Sequence, residues 1–574
     1  MQIKFTLVLT IVLFQFTQTF AQERNGATIS WTGLEAEKMK TTGTVLKTKY
    51  DPFLVETESS GQQAVKLNAK GEYIEFASPL NVNSLVIRHS LPDNKEGTGT
   101  NTTLGIYLNG KLVVEQKVSS RYSMLYGNYP FSNDPTEGKP RNFYDESRIV
   151  NLNIKKGDLV KIQRNDNKTD DASFCIIDVV DIENIPAALV APPNSLSIND
   201  ISFTGSDTIS DYTQAFNQCL MTAMQTGKTV WIPAGTFKIS GNFYIASNVT
   251  IQGAGMWYAN LVGDPNLYEY ADRRIRFIGN GSNIHLSDFA ITGKLTFRSD
   301  NEPNDGIVGK YGTNSTISRI WVEHTKAGVW VENSKNLTVE GCRFRNTLAD
   351  GMNFCVGMTE STMKNCTARG TGDDCFAIWP ATWMRQIYAP GKNLITHCTG
   401  QLPFLANGVA IYGGESNKVS HCTFTDIAAG SAVLISTTFP TESKAGPINN
   451  NFSGTTIVEH CDIKTSGGFD HGWQWRAAVQ LCLDKREISG LELNHINIEN
   501  SLSDALNVVA VNEGDKLGKL SNCKLNSISI NKVGLGVAEK HAVWIATNAT
   551  GSFTLKDSKI TDIKNESKTF TIEK

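Results

Sequence analysis

A short phrase that recurs from about residue 245 onward restricts the fold of this chain more than any other feature. The phrase is a polar or small residue, then Gly, Ala or Cys, then an apolar residue. Its first three steps are 22, 23 and 24 residues. A period in the low twenties with alternating apolar residues is typical of a parallel β-helix with one coil per repeat. The copies begin at Asp305, Ala327, Asp350, Asp374, Asn407, Ser431, Ala477, Asp504 and His541.

A second phrase places Cys or His after polar residues and runs in parallel with the first. Its steps are 24, 32, 24, 39, 34 and 28 residues, and the longer steps predict coils with inserted loops. We expect its cysteines to stack as free thiols in one column of the interior, because a thiol is small and apolar. Zinc is disfavoured, since CxxC pairs are absent. The phrase occurs at Cys342, Cys366, Cys398, Cys422, Cys461, His495 and Cys523.

The chain before the repeats is predicted to contain a second domain, a linker and a cap. Short alternating runs between turn residues predict a β-sandwich within residues 22–185, with a hairpin turn at Asn109-Gly110. Residues 186–195, rich in Pro and Ala, predict a stiff linker to a β-helix over residues 196–574. One helix, capped by Asp211, is expected to cover the end of the coils. Its apolar residues are Ala215, Phe216, Cys219, Leu220, Ala223 and Met224.

The first residues predict export from the cytoplasm. Lys4 precedes an apolar run over residues 5–16, and Thr19 and Ala21 supply small residues for cleavage, so residues 1–21 read as a signal peptide. The run is too short for a membrane span, which needs about 20 residues. We expect a secreted or periplasmic protein, and assume a monomer. With 54 Lys+Arg against 57 Asp+Glu the net charge is −3, which excludes the basic excess typical of nucleic-acid binding.

Three aspartates are expected to meet at one edge of the solenoid. Asp350 and Asp374 are one coil apart, and Asp373 precedes Asp374, so the three lie about one strand spacing from each other. Three carboxyl groups this close cannot all ionise easily, and at least one should hold a proton near neutral pH. A protonated acid facing a carboxylate is what glycoside hydrolysis requires. These residues are the predicted catalytic set, and no cofactor is needed.

The alternative reading of the aspartates is structural. Because the apolar residues that follow them point inward, the acids must lie at a bend before each strand. An aspartate at such a bend can cap a turn and do nothing else. We expect that role for Asp305 and Asp504, which belong to the same column but lie away from the triplet.

Aromatic and polar residues on nearby coils are the candidate sugar-binding residues. Trp and Tyr rings offer flat apolar faces for sugar rings, and the outer side of a β-helix offers a groove for a polymer. Some of these rings can equally be packing residues. The candidates are Trp379, Trp383, Tyr388, Asn407, Tyr412, Glu415, Trp473 and Trp475.

Four segments together resemble the α-1,3-glucanases and mycodextranases of glycoside hydrolase family 87. They are Gly253-Ala-Gly-Met-Trp-Tyr, Ala349-Asp-Gly, Gly372-Asp-Asp and Leu405-Ala-Asn-Gly-Val-Ala-Ile-Tyr-Gly-Gly. The resemblance implies a right-handed parallel β-helix that hydrolyses α-1,3-glucosidic bonds with inversion, using Asp350, Asp373 and Asp374. By analogy with polygalacturonases, Asp373 would be the acid, and Asp350 and Asp374 would activate water. Endo action is expected, on α-1,3-glucan or nigeran.

The sandwich resembles carbohydrate-binding modules of families 6 and 35. The resemblance rests on Leu34-Glu-Ala-Glu near its start and Ile177-Asp-Val near its end. In those modules such acids hold a structural calcium ion, for which hard carboxylate oxygens are suited. Glu35, Glu37 and Asp178 would be the ligands, with Asp181 as the rival of Asp178. The alternative is a pair of surface glutamates on an edge strand.

Two other functions remain possible from the residues. A polygalacturonase or polysaccharide lyase could use the same solenoid, but these enzymes need basic residues for an acidic substrate, and the cluster is acidic. A non-catalytic glycan-binding solenoid would account for the repeats and the aromatic residues. It gives no reason for three aspartates at one-coil spacing.

Overall fold

The structure is a computed structural model that describes residues 25–206, 208–440 and 450–574. The predicted signal peptide, residues 1–21, lies outside the described residues. Two parts follow in the chain: a domain of two antiparallel sheets, here called the sandwich domain, and a long array of parallel strands, here called the solenoid. The solenoid's first strand begins at Ser195.

The sandwich domain has two sheets that enclose one apolar core. Asn109 and Gly110 have positive φ angles of 50° and 83° and join Asn101–Leu108 to Lys111–Ser119, so the hairpin prediction is confirmed. One sheet contains Trp31–Glu35, Thr44–Val45, Val65–Leu67, Ser84–Ser90, Asp145–Ile149 and Cys175–Glu183. The other contains Lys40–Thr41, Tyr73–Ala77, Asn101–Leu108, Lys111–Ser119 and Leu159–Arg164.

A helix over Thr213–Thr226 covers the first coil of the solenoid, as predicted. Asp211 Oδ1 accepts a hydrogen bond from the backbone N–H of Thr213 at 2.8 Å, and the ring of Phe216 stacks on Phe243 at 4.1 Å. The predicted apolar residues of this helix are buried except Met224, which is exposed because Ala223 is the last helix residue that packs on the coils. The other α-helix in the described ranges is Ile201–Thr204. None of the described helices has the length and apolar character of a membrane span.

The solenoid has two parallel sheets. The shorter contains Asn242–Ile245, Arg276–Asn280, Gly306–Lys310, Val329–Glu332, Met352–Phe354, Phe376–Ile378, Val409–Ile411, Val433–Ser436, Val479–Asp484, Leu506–Val511, Val543–Ile545 and Ile563–Asn565. The longer contains Ser195–Ser197, Thr229–Ile232, Gly235–Ile239, Val249–Gly253, Ala259–Gly263, Ile284–Ser287, Ala290–Thr292, Thr316–Ser318, Trp321–Glu323, Thr338–Glu340, Arg343–Arg345, Thr362–Lys364, Thr367–Arg369, Leu394–Thr396, Thr399–Gln401, Lys418–Ser420, Thr423–Ile427, Thr456–Ser466, Glu487–Glu499, Lys519–Asn526, Ser529–Asn531, Thr550–Lys556 and Phe570–Glu573.

The repeated phrase predicted the register of the shorter sheet. The apolar residues of all nine copies pair in sequence along one row, from Ile307 to Val543. Met352 pairs with Phe376, so the bends before them, which carry Asp350 and Asp374, lie on adjacent coils. The parallel coils and the meeting of these aspartates therefore follow from the sequence period.

The cysteine column is shorter than predicted. Five cysteines precede residues that pair on successive coils, from Cys342 to Cys461. Cys523 pairs instead with Leu491, and His495 aligns with His460 at the bend before the column. The prediction was wrong for Cys523, because the two coils pair with a step of 32 residues and not with the step of 28 that the phrase gave. The phrase at His495 is aligned one residue early, since Ile496 pairs with Cys461. All eleven cysteines are buried and unpaired.

Buried charges join the sandwich domain to the outer face of the longer sheet. Arg369 of the solenoid donates from Nε to Glu146 at 2.5 Å and from Nη2 to Asp181 at 2.6 Å. Arg343 pairs with Glu183 at 2.8 Å a coil earlier. All these side chains are at most 10% exposed. The two domains therefore form one body, in which the loops of the sandwich domain reach over the solenoid.

Candidate active site

Asp350 and Asp374, two of the aspartates on the repeated column, each cap the next coil and also face a cavity. Asp350 Oδ1 accepts from the backbone N–H of Asp374 at 3.1 Å, and Asp374 Oδ1 accepts from that of Asn407 at 3.1 Å. Asp305 and Asp504 make the same contact with Lys326 and His541, as predicted for turn caps. The structural role of the aspartates and a chemical role are therefore compatible, since one carboxyl oxygen is enough for the cap.

The carboxyl groups of Asp350, Asp373 and Asp374 form the trio, with one oxygen from each within 4.8 Å of the others. Burial, followed by the charges of Asp373 and Asp374, holds the pKa of Asp350 well above its usual range. Burial and the charge of Asp373 raise the pKa of Asp374 to about 7, against the hydrogen bonds from Asn407 and Tyr412. The trio therefore retains at least one proton near neutral pH.

A cavity of about 700 Å³ opens above the trio, on the outer face of the shorter sheet. One wall consists of aromatic rings in edge and tilted contacts, with Trp379 5.1 Å from Trp383 and 4.6 Å from Phe439. Asn353 donates to Asp350 at 2.6 Å. Asn353 Oδ1 and Trp379 Nε1 are buried and have no hydrogen-bond partner among the described residues. The cavity thus combines flat apolar faces with the carboxyl groups of the trio, which suits sugar rings.

Arg298 and Tyr129 are residues of this site that sequence reasoning missed. Arg298 Nη2 donates to Asp373 Oδ2 at 2.6 Å and to the hydroxyl of Tyr129 at 3.0 Å. Tyr129 belongs to the sandwich domain, and both residues line the cavity. They come from loops between strands, where no repeat fixes the register, so the sequence carries no signal for their position.

Two family models match this chain, one over the sandwich domain and one over most of the solenoid. The α-1,3-glucanase catalytic domain D1 matches residues 28–185, and the α-1,3-glucanase catalytic domain D2 matches residues 204–569. The chain belongs to the α-1,3-glucanases of glycoside hydrolase family 87. It is therefore a glycoside hydrolase, and the family resemblance stated from its sequence is confirmed. No curated protein sequence matches this glucanase.

Solved structures are similar to this glucanase over nearly its whole length. The Agl-KA catalytic domain is 25% identical, with a TM-score of 0.81 over 99% of this chain and 100% of that one. The catalytic unit of a thermostable family 87 α-1,3-glucanase from Streptomyces thermodiastaticus strain HF3-3 is 28% identical, with a TM-score of 0.80 over 96% of each chain. A family 87 catalytic domain in complex with tetrasaccharides is 24% identical, with a TM-score of 0.81 over 96% of this chain and 99% of that one.

The predicted sugar-binding residues of the glucanase divide into two groups. Trp379, Trp383 and Tyr412 line the cavity, and Asn407 lines a smaller cavity that shares Asp373 and Tyr412 with it. The remaining four do not line either cavity. Glu415 pairs with Lys392 at 3.4 Å, Trp473 packs on Phe53 at 5.4 Å, Trp475 contacts Phe469 at 5.7 Å, and Tyr388 is half-buried in the loop after Trp383.

The predicted calcium ligands of the glucanase do not converge. Asp178 forms an ion pair with Arg88 and accepts from the backbone N–H of Ser60 at 3.0 Å, while Glu35 accepts from the Ser60 hydroxyl at 2.9 Å. Burial raises the pKa of Asp178 to about 7 despite Arg88. Among the described residues, the trio is the group that brings three ligand atoms within 4.8 Å. Glu35 Oε2 and Glu37 Oε2 are buried without a hydrogen-bond partner among the described residues, but these carboxyls and Asp178 do not bring three ligand atoms within 4.8 Å of one another. Their rival Asp181 is paired with Arg369.

Proposed function

We propose that this enzyme hydrolyses α-1,3-glucosidic linkages of α-1,3-glucan or nigeran outside the cytoplasm, after loss of residues 1–21. The observation that carries the proposal is the trio of aspartates below a wall of tryptophan rings. Relatives in the same family have been solved with nigerose and with tetrasaccharides bound, which supports an α-1,3-linked substrate. The coil is proposed to be right-handed, as the family resemblance implies.

The length of the cavity supports action within a chain. Its lining residues run from Arg276 to Tyr412, across six adjacent strands of the shorter sheet. At about 4.8 Å per strand this is roughly 20–25 Å, enough for several sugar units. A glucan chain can therefore lie along the stacked coils with the trio beneath an internal linkage. We propose endo action on this ground.

The proposed reaction divides acid and base roles within the trio. Asp373 is the proposed acid, because its side chain is 28% exposed toward the cavity while Asp350 and Asp374 are buried behind it. The raised pKa values of Asp350 and Asp374 place the retained proton on those two residues in the free site, so the proposal requires that this proton lies on Asp373 in the reacting state, with Asp350 or Asp374 ionised to accept another. Asp373 donates a proton to the glycosidic oxygen as the bond from C1 to that oxygen breaks. Asp350 and Asp374 together take a proton from water as its oxygen bonds to C1.

Inversion requires the attacking water to approach from the face opposite the leaving oxygen. Most inverting enzymes leave about 6.5–9.5 Å between two carboxyl groups for that water. In this trio one oxygen from each carboxyl lies within 4.8 Å of the others. We therefore propose that the water lies beside the trio, held by Asp350 and Asp374, and not between two of its members.

The sandwich domain is proposed as a part of the catalytic unit, and not as a separate carbohydrate-binding module. Tyr129 reaches from it into the cavity, and Arg369 anchors it to the solenoid through buried ion pairs. The match of residues 28–185 to catalytic domain D1 supports this role.

The charge of the cavity argues against an acidic polymer as substrate. Six acidic side chains line it, and they are Asp300, Glu302, Glu332, Asp350, Asp373 and Asp374. The basic ones are Arg276, Arg298 and Lys326, and Arg298 is already paired with Asp373. A polygalacturonate chain would meet an excess of negative charge, which would repel it.

Reducing-sugar release by the purified mature protein tests the proposal. The substrates are α-1,3-glucan, nigeran, dextran and polygalacturonate at matched concentration, with chain-length analysis of the early products. We expect release from α-1,3-glucan, nigeran or both, with a mixture of oligosaccharides. Release from polygalacturonate, or from no member of the panel, would contradict the proposed substrate, and a single short product from the start would contradict endo action.

Trp383→Ala is expected to raise KM on α-1,3-glucan by up to about tenfold, because the ring is 52% exposed in the aromatic wall and such a contact contributes about 0.5–1.5 kcal/mol. Initial rates over a range of substrate concentrations measure this change. Trp473→Ala is the matched control, since Trp473 is 56% exposed but does not line the cavity. Equal effects of the two substitutions would show that the wall does not bind substrate.

A further inference from the structure

We propose that Arg298 is a positioning residue for the hydrolysis, which holds Asp373 and the turns that carry the trio, and that Tyr129 of the sandwich domain holds Arg298 in place. The inference rests on the hydrolysis proposed above. Neither residue belongs to the repeated column, and both lie in loops. Their role depends on the contacts of a single guanidinium group.

The guanidinium of Arg298 joins the two turns that precede the aspartates. Nη1 donates to the carbonyl of Leu348 at 2.8 Å and to that of Gly372 at 3.0 Å. Leu348 lies two residues before Asp350, and Gly372 lies immediately before Asp373. Arg298 is 4% exposed, so these contacts are shielded from water. Arg298 therefore adds a side-chain link between two turns that the backbone hydrogen bond from Asp373 to Ala349 and the Asp350 cap already join.

The second terminal nitrogen of the Arg298 guanidinium group holds Asp373 itself. Nη2 donates to Asp373 Oδ2 at 2.6 Å, and this leaves Asp373 Oδ1 for the cavity. A planar fork with several donors in fixed geometry can serve two carbonyls and a carboxylate at once. A lysine at this position keeps the charge but supplies a single ammonium group, so it cannot hold both turns and the carboxylate together.

Tyr129 supports the guanidinium from the sandwich domain. Its hydroxyl accepts from Arg298 Nη2 at 3.0 Å, and its ring centre lies 4.8 Å from the guanidinium carbon. The ring also stacks on His471 at 5.1 Å. Docking of the sandwich domain on the solenoid therefore completes the support of Asp373.

The charge of Arg298 acts on Asp350 as well as on Asp373. Charged and titratable groups that face it are Asp300, Asp373 and Asp350 from the solenoid, Lys326 from the next coil and Tyr129 from the sandwich domain. Arg298 lowers the pKa of Asp350, although burial and the neighbouring aspartates keep it raised. Loss of the positive charge would raise that pKa further, so the pH profile of activity would move to higher pH.

The test compares Arg298→Lys, Arg298→Gln and Tyr129→Phe in the full mature chain, with kcat and KM on α-1,3-glucan measured from pH 4 to 9. We expect both Arg298 variants to lower kcat by about 100-fold, as a misplaced acid does. Only Arg298→Gln should move the profile to higher pH, because lysine keeps the charge. Tyr129→Phe should lower kcat by about tenfold with KM unchanged, since the hydroxyl loses its hydrogen bonds with Arg298 and Asp300.

Two matched controls separate positioning from general damage. Arg319→Lys is the control for Arg298, because Arg319 lies on another coil and donates two hydrogen bonds to Asp288. Tyr126→Phe is the control for Tyr129, because Tyr126 lies three residues earlier and its hydroxyl donates to Asp93. Both should keep wild-type kcat and pH profile. Wild-type rates in the Arg298 variants, or equal losses in variants and controls, would overturn the inference. An unmoved profile in Arg298→Gln would also overturn it. An inactive wild-type protein would instead contradict the proposed function.

Discussion

Replacing any one of Asp350, Asp373 and Asp374 by Asn is expected to lower kcat on α-1,3-glucan by about 1,000-fold or more. General acid and base groups each contribute about 10²–10⁴-fold, and an amide can neither donate the proton nor accept it from water. The fold should persist, because an amide oxygen can still accept the backbone hydrogen bond that caps the next coil. Loss of a charge also relieves repulsion within the trio.

The measurement is the single-variant kcat together with the unfolding temperature of each variant. Asp504→Asn is the matched control, since Asp504 occupies the same column position and caps His541 at 2.7 Å but lies away from the cavity. The control should keep wild-type activity. An aspartate variant that retains near-normal activity would remove that residue from the catalytic set, and an unfolded variant would show that the cap outweighs the chemistry.

Arg369→Met is expected to lower the free energy of unfolding by about 3–5 kcal/mol, the typical cost of leaving a buried charge without its partner. Arg369 bridges Glu146 and Asp181, and all three side chains are at most 7% exposed. Removal of the guanidinium leaves Asp181 unpaired at the seam between the domains. Glu146 remains paired with Arg345 at 3.5 Å. The expected cost is therefore smaller than if both Glu146 and Asp181 lost their only partner.

Urea unfolding at pH 7, followed by tryptophan fluorescence, measures this change. Lys364→Met provides the control, because the pair of Lys364 with Glu340 is 3.1 Å long but more than 40% exposed on both sides. Exposed ion pairs contribute little to the free energy of unfolding, so the control should unfold at the same urea concentration as the wild type. A change below about 1 kcal/mol for Arg369→Met would show that the seam is not held by its ion pairs.

The trio was predictable because the repeat converts sequence distance into spatial distance. Asp350 and Asp374 differ by one coil, and the pairing of Met352 with Phe376 follows from the same step. A constant period fixes register, and register fixes which bends are neighbours. The hairpin at Asn109-Gly110 and the cap helix were predictable for a similar reason, since each depends on a local pattern.

Arg298 and Tyr129 could not be predicted, because their positions depend on loops that no period governs. Tyr129 is more than 160 residues from Arg298 in sequence and meets it only when the two domains dock. The seam that docks them, which includes Arg369 and Glu146, consists of side chains that alternate outward on short strands. Outward charges on a strand predict a solvated face, and here a second domain covers that face.

Inserted loops also explain the misplaced residues. Trp473 and Glu415 lie on coils near the cavity in sequence order, but Trp473 turns toward Phe53 and Glu415 toward Lys392. Cys523 was assigned by its local phrase alone, and the pairing of the last coils places it opposite Leu491, in another column. A repeated phrase predicts where a residue lies in the solenoid only as long as successive coils have the same length.

The most direct test of the account is the anomeric form of the first product. Purified enzyme is mixed with an α-1,3-linked glucan oligosaccharide, and proton NMR spectra are recorded within minutes, before the product mutarotates. The account predicts cleavage of the α-1,3 linkage with the β-anomer formed first. The α-anomer first would contradict inversion and make one aspartate of the trio a nucleophile, while an intact substrate would contradict hydrolysis by the trio.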